Sequence, residues 1–361
     1  MELMKKLILL FIVIIGLGGA ALGYWGYKDL HKPVAHNKSA EYIEISRGSA
    51  PAAVVRRLVG EGVIKHEWPL TFYMKLTGAG SRLKAGEYVF PSPISPLGVL
   101  RKLELGEQRT LRLTIIEGWT RWDIANAMAR MPEFELKDPD EALALMNDVS
   151  QIRSIDPQAE NLEGYLYPDT YEFIPGTSAK AVIDMMLKRF FKEWSVEHAA
   201  SAQALNMTPR QVITTASLIE TEAKLKDERP LVASVIYNRL RRNMPLGIDS
   251  TVIYASKLAG KWRNDGKVYK SDVDRNSPYN TRLHAGLPPG PIASAGASSL
   301  EAALNPGRTD FLYYVRDPAR NDGAHNFYGS DGDFNKGVQA LRDWERQRDF
   351  ENAQPKNQTS P

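Results

Sequence analysis

The stretch TPRQVITTASLIETEAK, residues 208–224, predicts an amphipathic helix. Its apolar stripe, spaced as one face of a helix requires, consists of Val212, Ala216, Ile219 and Ala223. A second helix is predicted over residues 230–242, and the acidic residues Asp227 and Glu228 precede it. Short strand-like segments elsewhere in the chain alternate with such helices. The sequence therefore predicts an α+β fold.

Two glutamates lie near the end of the first helix. Glu220 lies beside the apolar stripe, so its carboxyl can be drawn to the edge of the core. Glu222 is about 160° away around the helix axis, so only one of the two can face a common cleft. In the plainer interpretation both are surface residues that pair with Lys224 and Lys226 at i+4. The helix pattern alone favours that interpretation.

The composition limits the number of folded units, the classes of partner and the catalytic chemistry that the chain can have. A chain of 361 residues with 43% hydrophobic and 25% charged residues is expected to form two or three folded units. A formal net charge of +3, with no run of basic residues interleaved with aromatics, argues against nucleic acid as a partner. The chain has no cysteine, hence no disulfide, thiolate nucleophile or Cys-ligated zinc.

Other common catalytic motifs are missing from the sequence. No two histidines stand at H-x-x-x-H spacing, and no G-x-S-x-G elbow is present. The S-x-x-K match at Ser81 has no K-T-G partner. Carboxylate chemistry remains, for which no metal or cofactor is expected.

The N-terminus carries a long apolar segment. Lys5 and Lys6 precede an uncharged run over residues 7–27 that is long enough to span a bilayer and ends in aromatic residues. We expect an uncleaved anchor with residues 1–6 in the cytoplasm, a linker over residues 28–40 and the rest of the chain outside, in the periplasm. A cleavable signal peptide is the alternative, because residues 18–23 are rich in small side chains.

A repeat follows the linker. Ile45, Gly48, Val54 and Leu58 recur with the same spacing as Ile115, Gly118, Ile124 and Met128. Each copy predicts a strand, a glycine turn and a short helix, which Ser49 or Thr120 can cap. Between the copies we expect a strand at 88–90 and a helix at 97–105. The pattern resembles LysM-type modules, which bind glycans that contain N-acetylglucosamine; an ordinary small α+β unit is the alternative.

Several ordered blocks resemble one known family. They are LEGYLYPDTY (162–171), TASLIETEA (215–223), VASVIYNRL (232–240), DSTVIY (249–254), SPYNT (277–281) and GLPPGPI (286–292). In this order they are similar to the YceG-like family of membrane-anchored endolytic murein transglycosylases. The resemblance runs from the apolar segment to about residue 335.

The resemblance implies a reaction and places Glu220 at its centre. Glu220 would act as general acid and then general base, which a carboxyl beside apolar surface can do near neutral pH. In such enzymes the C6 hydroxyl of N-acetylmuramic acid attacks C1 and closes a 1,6-anhydro ring, so no water is consumed. The family also implies coupling to peptidoglycan synthases, the penicillin-binding proteins.

The blocks that carry this resemblance also supply candidate substrate contacts. They are Glu163, Tyr165, Tyr167, Asp249, Thr251, Tyr279, Asn280 and Thr281. We expect the tyrosine rings to stack on sugar rings and the polar groups to hold hydroxyl and N-acetyl groups or to orient Glu220. For Glu163 the alternative is a structural loop residue.

The predicted organisation is an anchor, a LysM-like module over residues 41–150 and an α+β catalytic domain over residues 151–345. Residues 346–361 are expected to form a disordered tail. Two rival functions stay open: a membrane-anchored scaffold that binds peptidoglycan without cleaving it, and a muramidase that uses water.

Overall fold

The computed structural model describes residues 2–353, which form two compact units. Unit 1 comprises residues up to Arg112 together with Glu172–Gly176, and unit 2 comprises Leu113–Tyr171 and the chain from Thr177 onward. The division near residue 112 differs from the boundary expected near residue 150. The second copy of the repeat accordingly belongs to unit 2.

Helices and strands alternate along both units, as the predicted mixed α+β class requires. The first part of the chain contains α1 (Glu2–His31), β1 (Ile43–Ile45), α2 (Pro51–Gly60), α3 (Glu67–Thr77), β2 (Gly86–Tyr88), α4 (Pro96–Leu105) and β3 (Leu111–Thr114). The rest contains α5 (Arg121–Ala129), α6 (Pro139–Leu145), β4 (Thr170–Phe173), α7 (Ala179–Glu193), α8 (Val196–Ala204), α9 (Pro209–Glu222), α10 (Arg229–Arg241), α11 (Asp249–Leu258), α12 (Lys270–Val273), α13 (Ala297–Leu304), β5 (Tyr313–Arg316), β6 (His325–Tyr328) and α14 (Asp331–Ala353). Within residues 2–353 the strands form two-stranded sheets: β1 with β2, β3 with β4 and β5 with β6.

Helix α1 is long and apolar enough to cross a membrane, with a mean hydropathy of 2.5 over its most apolar window. It continues to His31, so the first residues of the expected linker are helical. Its last turns pack on unit 1: Trp25 stacks on Trp68 with ring centroids 5.5 Å apart, and Leu30 is part of the core. The helix fits a single-pass membrane anchor.

Unit 1 has a strand–helix–helix–strand order. Antiparallel strands β1 and β2 pair with Ile43 opposite Tyr88 and Ile45 opposite Gly86. Helices α2 and α3 lie between them in the chain, and apolar side chains of both helices join the core. The expected helix at 97–105 is α4, and the expected strand at 88–90 ends at Tyr88.

Both copies of the repeat have the expected order of strand, turn and helix. Gly48 and Gly118 have φ angles of 76° and 82°, which favour glycine. Thr120 caps α5 as predicted and forms a capping box with Asp123. Ser49 does not cap α2, because the N-cap residue is Ala50 and no side chain bonds there.

Helix α9 is the centre of unit 2. Residues 212–219 are buried on every side, so the helix is a core helix rather than the amphipathic one that the stripe predicted. It packs against α13, α10 and α11. Thr208 caps it, in a capping box with Gln211.

The C-terminal region consists of the hairpin β5–β6 and helix α14. Tyr313 pairs with Tyr328 and Arg316 with His325 in antiparallel register. Helix α14 runs to Ala353, so residues 346–353 of the expected disordered tail are helical. Residues 354–361 of that tail lie outside the described residues.

Candidate active site

Glu220 lies in the last turn of α9 with its side chain only 4% exposed. Arg229 donates two hydrogen bonds to it, from Nη2 to Oε1 at 2.7 Å and from Nη1 to Oε2 at 3.3 Å. The backbone N–H of Gly296 donates to Oε2 at 2.9 Å. The carboxyl group is therefore fixed in one orientation by donors from two other segments.

Two opposing effects set the pKa of Glu220. Burial raises it, while the Gly296 N–H and the charge of Arg229 lower it. Burial is the larger effect, so the pKa of Glu220 is raised above its ordinary value. A carboxyl in this environment keeps its proton to higher pH than an exposed glutamate, as a general acid must.

Arg229 is the residue that the sequence analysis missed. It is the first residue of α10, its side chain is 5% exposed, and its guanidinium forms the two-pronged pair with Glu220. Its buried Nε has no hydrogen-bond partner among the described residues. A charged residue directly before Pro230 resembles an ordinary helix start, so the pattern gave no indication of an inward-facing guanidinium.

A second carboxylate, Glu117, lies at the same place and was also missed. Its side chain is 47% exposed, and its Oε2 lies 3.6 Å from Arg229 Nη2. Its negative charge raises the pKa of Glu220. A Cβ atom at Gly296 would come within 2.0 Å of Glu117 Oε1, so glycine lets these two residues lie together.

Backbone hydrogen bonds fix the segment that leads to Gly296. The Ile292 N–H donates to Ser217 Oγ of α9 at 3.1 Å. Ser294 exchanges hydrogen bonds with the Glu117 segment: its N–H donates to Trp119 O at 2.7 Å, and its carbonyl accepts from Gly118 N–H at 2.8 Å. The GLPPGPI block thus directs the N-terminal end of α13 towards Glu220.

Glu222 does not form the surface pair that the helix pattern favoured. Tyr314 Oη donates to its Oε2 at 2.8 Å, and Ser250 Oγ lies 3.4 Å from Oε1. Burial raises its pKa. The prediction of a surface i+4 pair with Lys226 is therefore wrong, because the hairpin β5–β6 supplies a tyrosine that covers this carboxyl. Glu220 and Glu222 do point to different partners, as their angular separation predicted.

Glu163 is buried, with 4% of the residue exposed. Its oxygens accept from the Arg121 N–H at 3.1 and 3.2 Å, at the start of α5, and from Tyr254 Oη at 3.2 Å. Burial raises the pKa of Glu163 to about 7, against the lowering effect of the Arg121 N–H. The Glu163 carboxylate therefore accepts hydrogen bonds at the N-terminus of α5, where N–H groups have no partner within the helix.

The candidate tyrosines lie inside unit 2. Tyr165 is 1% exposed and donates to Asp156 at 2.7 Å, so the expected stacking of its ring on a sugar is excluded in this conformation. Tyr167 is 7% exposed, and the Arg189 guanidinium lies 4.6 Å from its ring centroid. Tyr279 is half-buried and packs against Tyr254, with ring centroids 4.9 Å apart.

The remaining polar candidates form a scaffold around the start of α11. Thr251 and Thr281 are buried and their hydroxyls lie 2.9 Å apart. Asn280 is fully buried and its amide donates to the carbonyls of Val273 and Arg275. Asp249 is exposed and pairs with Arg282. Asp249 and Thr251 both belong to helix α11.

No group of three or more histidine and acidic side chains that could hold a metal ion occurs within residues 2–353.

Comparisons with known proteins assign the family. The sequence profile of the YceG-like family matches residues 43–340. A relative from Bacillus subtilis (strain 168), named endolytic murein transglycosylase, is 36% identical over 316 residues, which are 83% of this chain and 84% of the relative. A relative of the same name from Streptococcus pneumoniae (strain ATCC BAA-255 / R6) is 31% identical over 340 residues, and the alignment covers 87% of this chain and 61% of that relative.

A solved structure is also similar to this chain. The crystal structure of a putative yceG-like protein from Listeria monocytogenes superposes with a TM-score of 0.57 at 31% sequence identity, covering 83% of this chain and 99% of that one. Because the family profile spans most of the chain and these relatives exceed 30% identity, the chain belongs to the YceG-like family.

Proposed function

We propose that this protein is a membrane-anchored lytic transglycosylase that cleaves peptidoglycan strands internally. The curated relatives named endolytic murein transglycosylase support this reaction class. The bond is the β-1,4 bond between N-acetylmuramic acid and N-acetylglucosamine, and the product carries a 1,6-anhydro end. The cut limits the length of nascent strands, and penicillin-binding synthases are the partners that supply them.

The observation that carries the proposal is the environment of Glu220. Protonated Glu220 donates its proton to the glycosidic oxygen as the bond to C1 breaks. The resulting carboxylate takes the proton of the C6 hydroxyl, whose oxygen forms the new bond to C1. The proton count balances, so Glu220 returns to its starting state and no water is needed.

Arg229 and the Gly296 N–H position the carboxyl for both steps. They donate to it in the described state, and they stabilise the carboxylate formed after the first proton transfer. Glu117 is solvent-accessible beside this pair, so it is placed to bond sugar hydroxyls. Glu163, Thr251, Asn280 and Thr281 act indirectly, because their buried side chains bond protein groups.

Two further features complete the proposal. The strand–helix–helix–strand order of unit 1 supports a LysM-like module that holds glycan. Lys5 and Lys6 before the apolar helix favour an N-terminus in the cytoplasm and a catalytic unit outside it, at the inner membrane.

Product analysis of two matched variants tests the mechanism. Glu220→Gln keeps size and polarity but cannot transfer the proton, so release of 1,6-anhydro product should fall at least ~100-fold. Glu222→Gln is the control: its burial also favours a neutral group, and we expect it to retain most of the activity. Mass spectrometry of digests of purified glycan strands is the measurement.

The outcomes separate the rival functions. Near wild-type release of anhydro product by Glu220→Gln would contradict the role of this residue. Reducing-end muramic acid from the wild type would identify a water-using muramidase instead. Intact strands after incubation with the wild type would favour the non-enzymatic scaffold.

A further inference from the structure

A pocket lies on unit 2, at residues that take no part in the Glu220 site. Its volume is about 270 Å³, and it opens between α5 and the segment that follows α11. Its lining includes Trp122, Asp123, Asn126, Lys257, Trp262 and Asn264. The volume is just below the range of about 300–1,000 Å³ typical of small-molecule sites, so it suits a ligand of one or two rings.

Two tryptophans form the apolar part of the lining. Trp122 is half-buried and held in place, since the Arg121 guanidinium lies 4.9 Å from its ring centroid and Tyr254 packs at 5.3 Å. Trp262 is also half-buried, and among the described residues no ring or guanidinium group packs against it. A fixed and an unpartnered indole provide apolar faces for a ring-shaped ligand.

The polar side chains that line the pocket can form hydrogen bonds with hydroxyl and amide groups of a ligand. Asn126 Nδ2 donates to the Trp122 carbonyl at 2.8 Å, which leaves its amide oxygen as an acceptor. Lys257 Nζ lies 3.4 Å from Thr120 Oγ1 and 3.5 Å from Asp123 Oδ2, so its third donor is free for a ligand. Asn264 is exposed and offers a donor and an acceptor.

The charge balance indicates a neutral ligand. Lys257 is the cation of the lining and Asp123 pairs with it, so neither charge is left to attract an ion of opposite sign. A phosphate group or the lactyl carboxylate of muramic acid would have to compete with Asp123. A neutral N-acetylhexosamine needs only the indole faces and the amide groups.

Chain connectivity relates the pocket to Glu220. Glu117 lies beside Arg229 at the candidate active site, and Trp122 is five residues further along the same segment. Five residues span at most about 18 Å. A short oligosaccharide can bridge such a distance.

We propose that the Trp122–Trp262 pocket binds one N-acetylglucosamine-type ring of a glycan strand while another part of the strand lies at Glu220. The identification of the natural ligand as a peptidoglycan strand rests on the proposed function. The binding of an N-acetylglucosamine-type ring to the pocket does not. The pocket then sets where along a strand the cut is made.

The test uses the full chain with fluorinated tryptophan, in a detergent without a sugar headgroup, carrying Glu220→Gln to prevent turnover. The probe is the tetramer of N-acetylglucosamine, and tryptophan signals are followed by fluorine NMR. We expect saturable shifts of the Trp122 and Trp262 signals, and Trp262→Ala should weaken the binding reported by Trp122 about tenfold. Assignment of each signal separates this pocket from glycan binding elsewhere.

Two controls make the result specific. Trp344→Ala removes another half-buried tryptophan of unit 2, in α14, and should leave the affinity unchanged. The glucose tetramer lacks the acetamido group and should bind more weakly. Absence of shifts at Trp122 and Trp262, or equal weakening by Trp262→Ala and Trp344→Ala, would overturn the proposal. Anhydro product release by the wild-type chain is measured separately, so failure of the pocket and failure of the catalytic proposal are distinguishable.

Discussion

At the scale of residues, burial and nearby charges have opposing effects on the pKa of Glu220. Glu220 is almost fully enclosed, and such a carboxyl favours its neutral form unless a partner compensates. Arg229 provides compensation at 2.7 Å, yet burial still dominates the pKa. The carboxyl can therefore hold a proton and still be stabilised when it gives the proton up.

Replacing Glu117 should change the pKa of Glu220 without altering Glu220 itself. Its charge raises the pKa of Glu220, so Glu117→Gln should lower that pKa. Since a general acid loses activity as pH rises through its pKa, the alkaline limb of the kcat/KM profile should move to lower pH. The profile is measured by release of anhydro product between pH 5 and pH 9.

The control for this change is Glu345→Gln. Glu345 is exposed in α14, so its replacement changes the net charge by the same amount without touching the site. We expect its pH profile to match the wild type. A shift of the alkaline limb to higher pH in Glu117→Gln, or an equal shift in both variants, would refute the coupling between Glu117 and Glu220.

At the scale of elements, unit 2 depends on close contacts between segments that are distant in sequence. Gly164, in the loop of Glu163, has a φ angle of 80°. A Cβ atom there would lie 2.4 Å from Pro291 and 3.3 Å from Ile213 of α9. Two of the sequence blocks and helix α9 therefore meet at one glycine.

Gly164→Ala should destabilise unit 2 for two reasons that add. The left-handed backbone disfavours a Cβ atom, and the collision with Pro291 cannot be relieved by a flexible chain end. Together these costs should lower the free energy of unfolding by about 3 kcal/mol. Urea unfolding followed by tryptophan fluorescence measures the loss.

Gly286→Ala isolates the backbone contribution. Gly286 also has a positive φ angle, 94°, but nothing lies within 4 Å of its added Cβ. We expect a loss of only about 1 kcal/mol. Equal losses in the two variants would mean that the contact between Gly164 and Pro291 contributes nothing.

At the scale of the whole molecule, the first helix is the feature to test. We expect residues 7–27 to remain in the mature chain, because the helix has spanning length and its last turns belong to unit 1. Cleavage after Trp25 would remove the ring that stacks on Trp68. Gly26 also lies against Trp68, since a Cβ atom at Gly26 would come within 2.8 Å of the Trp68 ring.

Membrane fractionation with N-terminal sequencing distinguishes an uncleaved anchor from a cleaved signal peptide. The chain should stay in the membrane fraction after an alkaline wash and begin at or near Met1. As a control, a variant with Leu9→Arg and Ile12→Arg should leave the membrane fraction, because two charges in mid-helix oppose insertion. A soluble wild-type chain that begins between Gly19 and Lys28 would identify a cleaved signal peptide and remove the anchor from the proposal.

Features that depend on neighbours along the chain could be predicted from the sequence. The apolar N-terminal helix, helix α9 and the two strand–turn–helix copies follow from local pattern. The ordered blocks identified the YceG-like family, which the family profile confirms. The angular separation of Glu220 and Glu222 also follows from helix geometry alone.

The groups that surround each carboxyl could not be predicted, because they come from segments that are distant in sequence. Arg229, Glu117 and Gly296 converge on Glu220 from α10, the second repeat copy and the start of α13. Tyr314 covers Glu222 from a hairpin about ninety residues further along, which helix periodicity cannot reveal. Local pattern records which face of a helix is apolar, whereas the pKa of a buried acid depends on the desolvation and partners that distant segments supply.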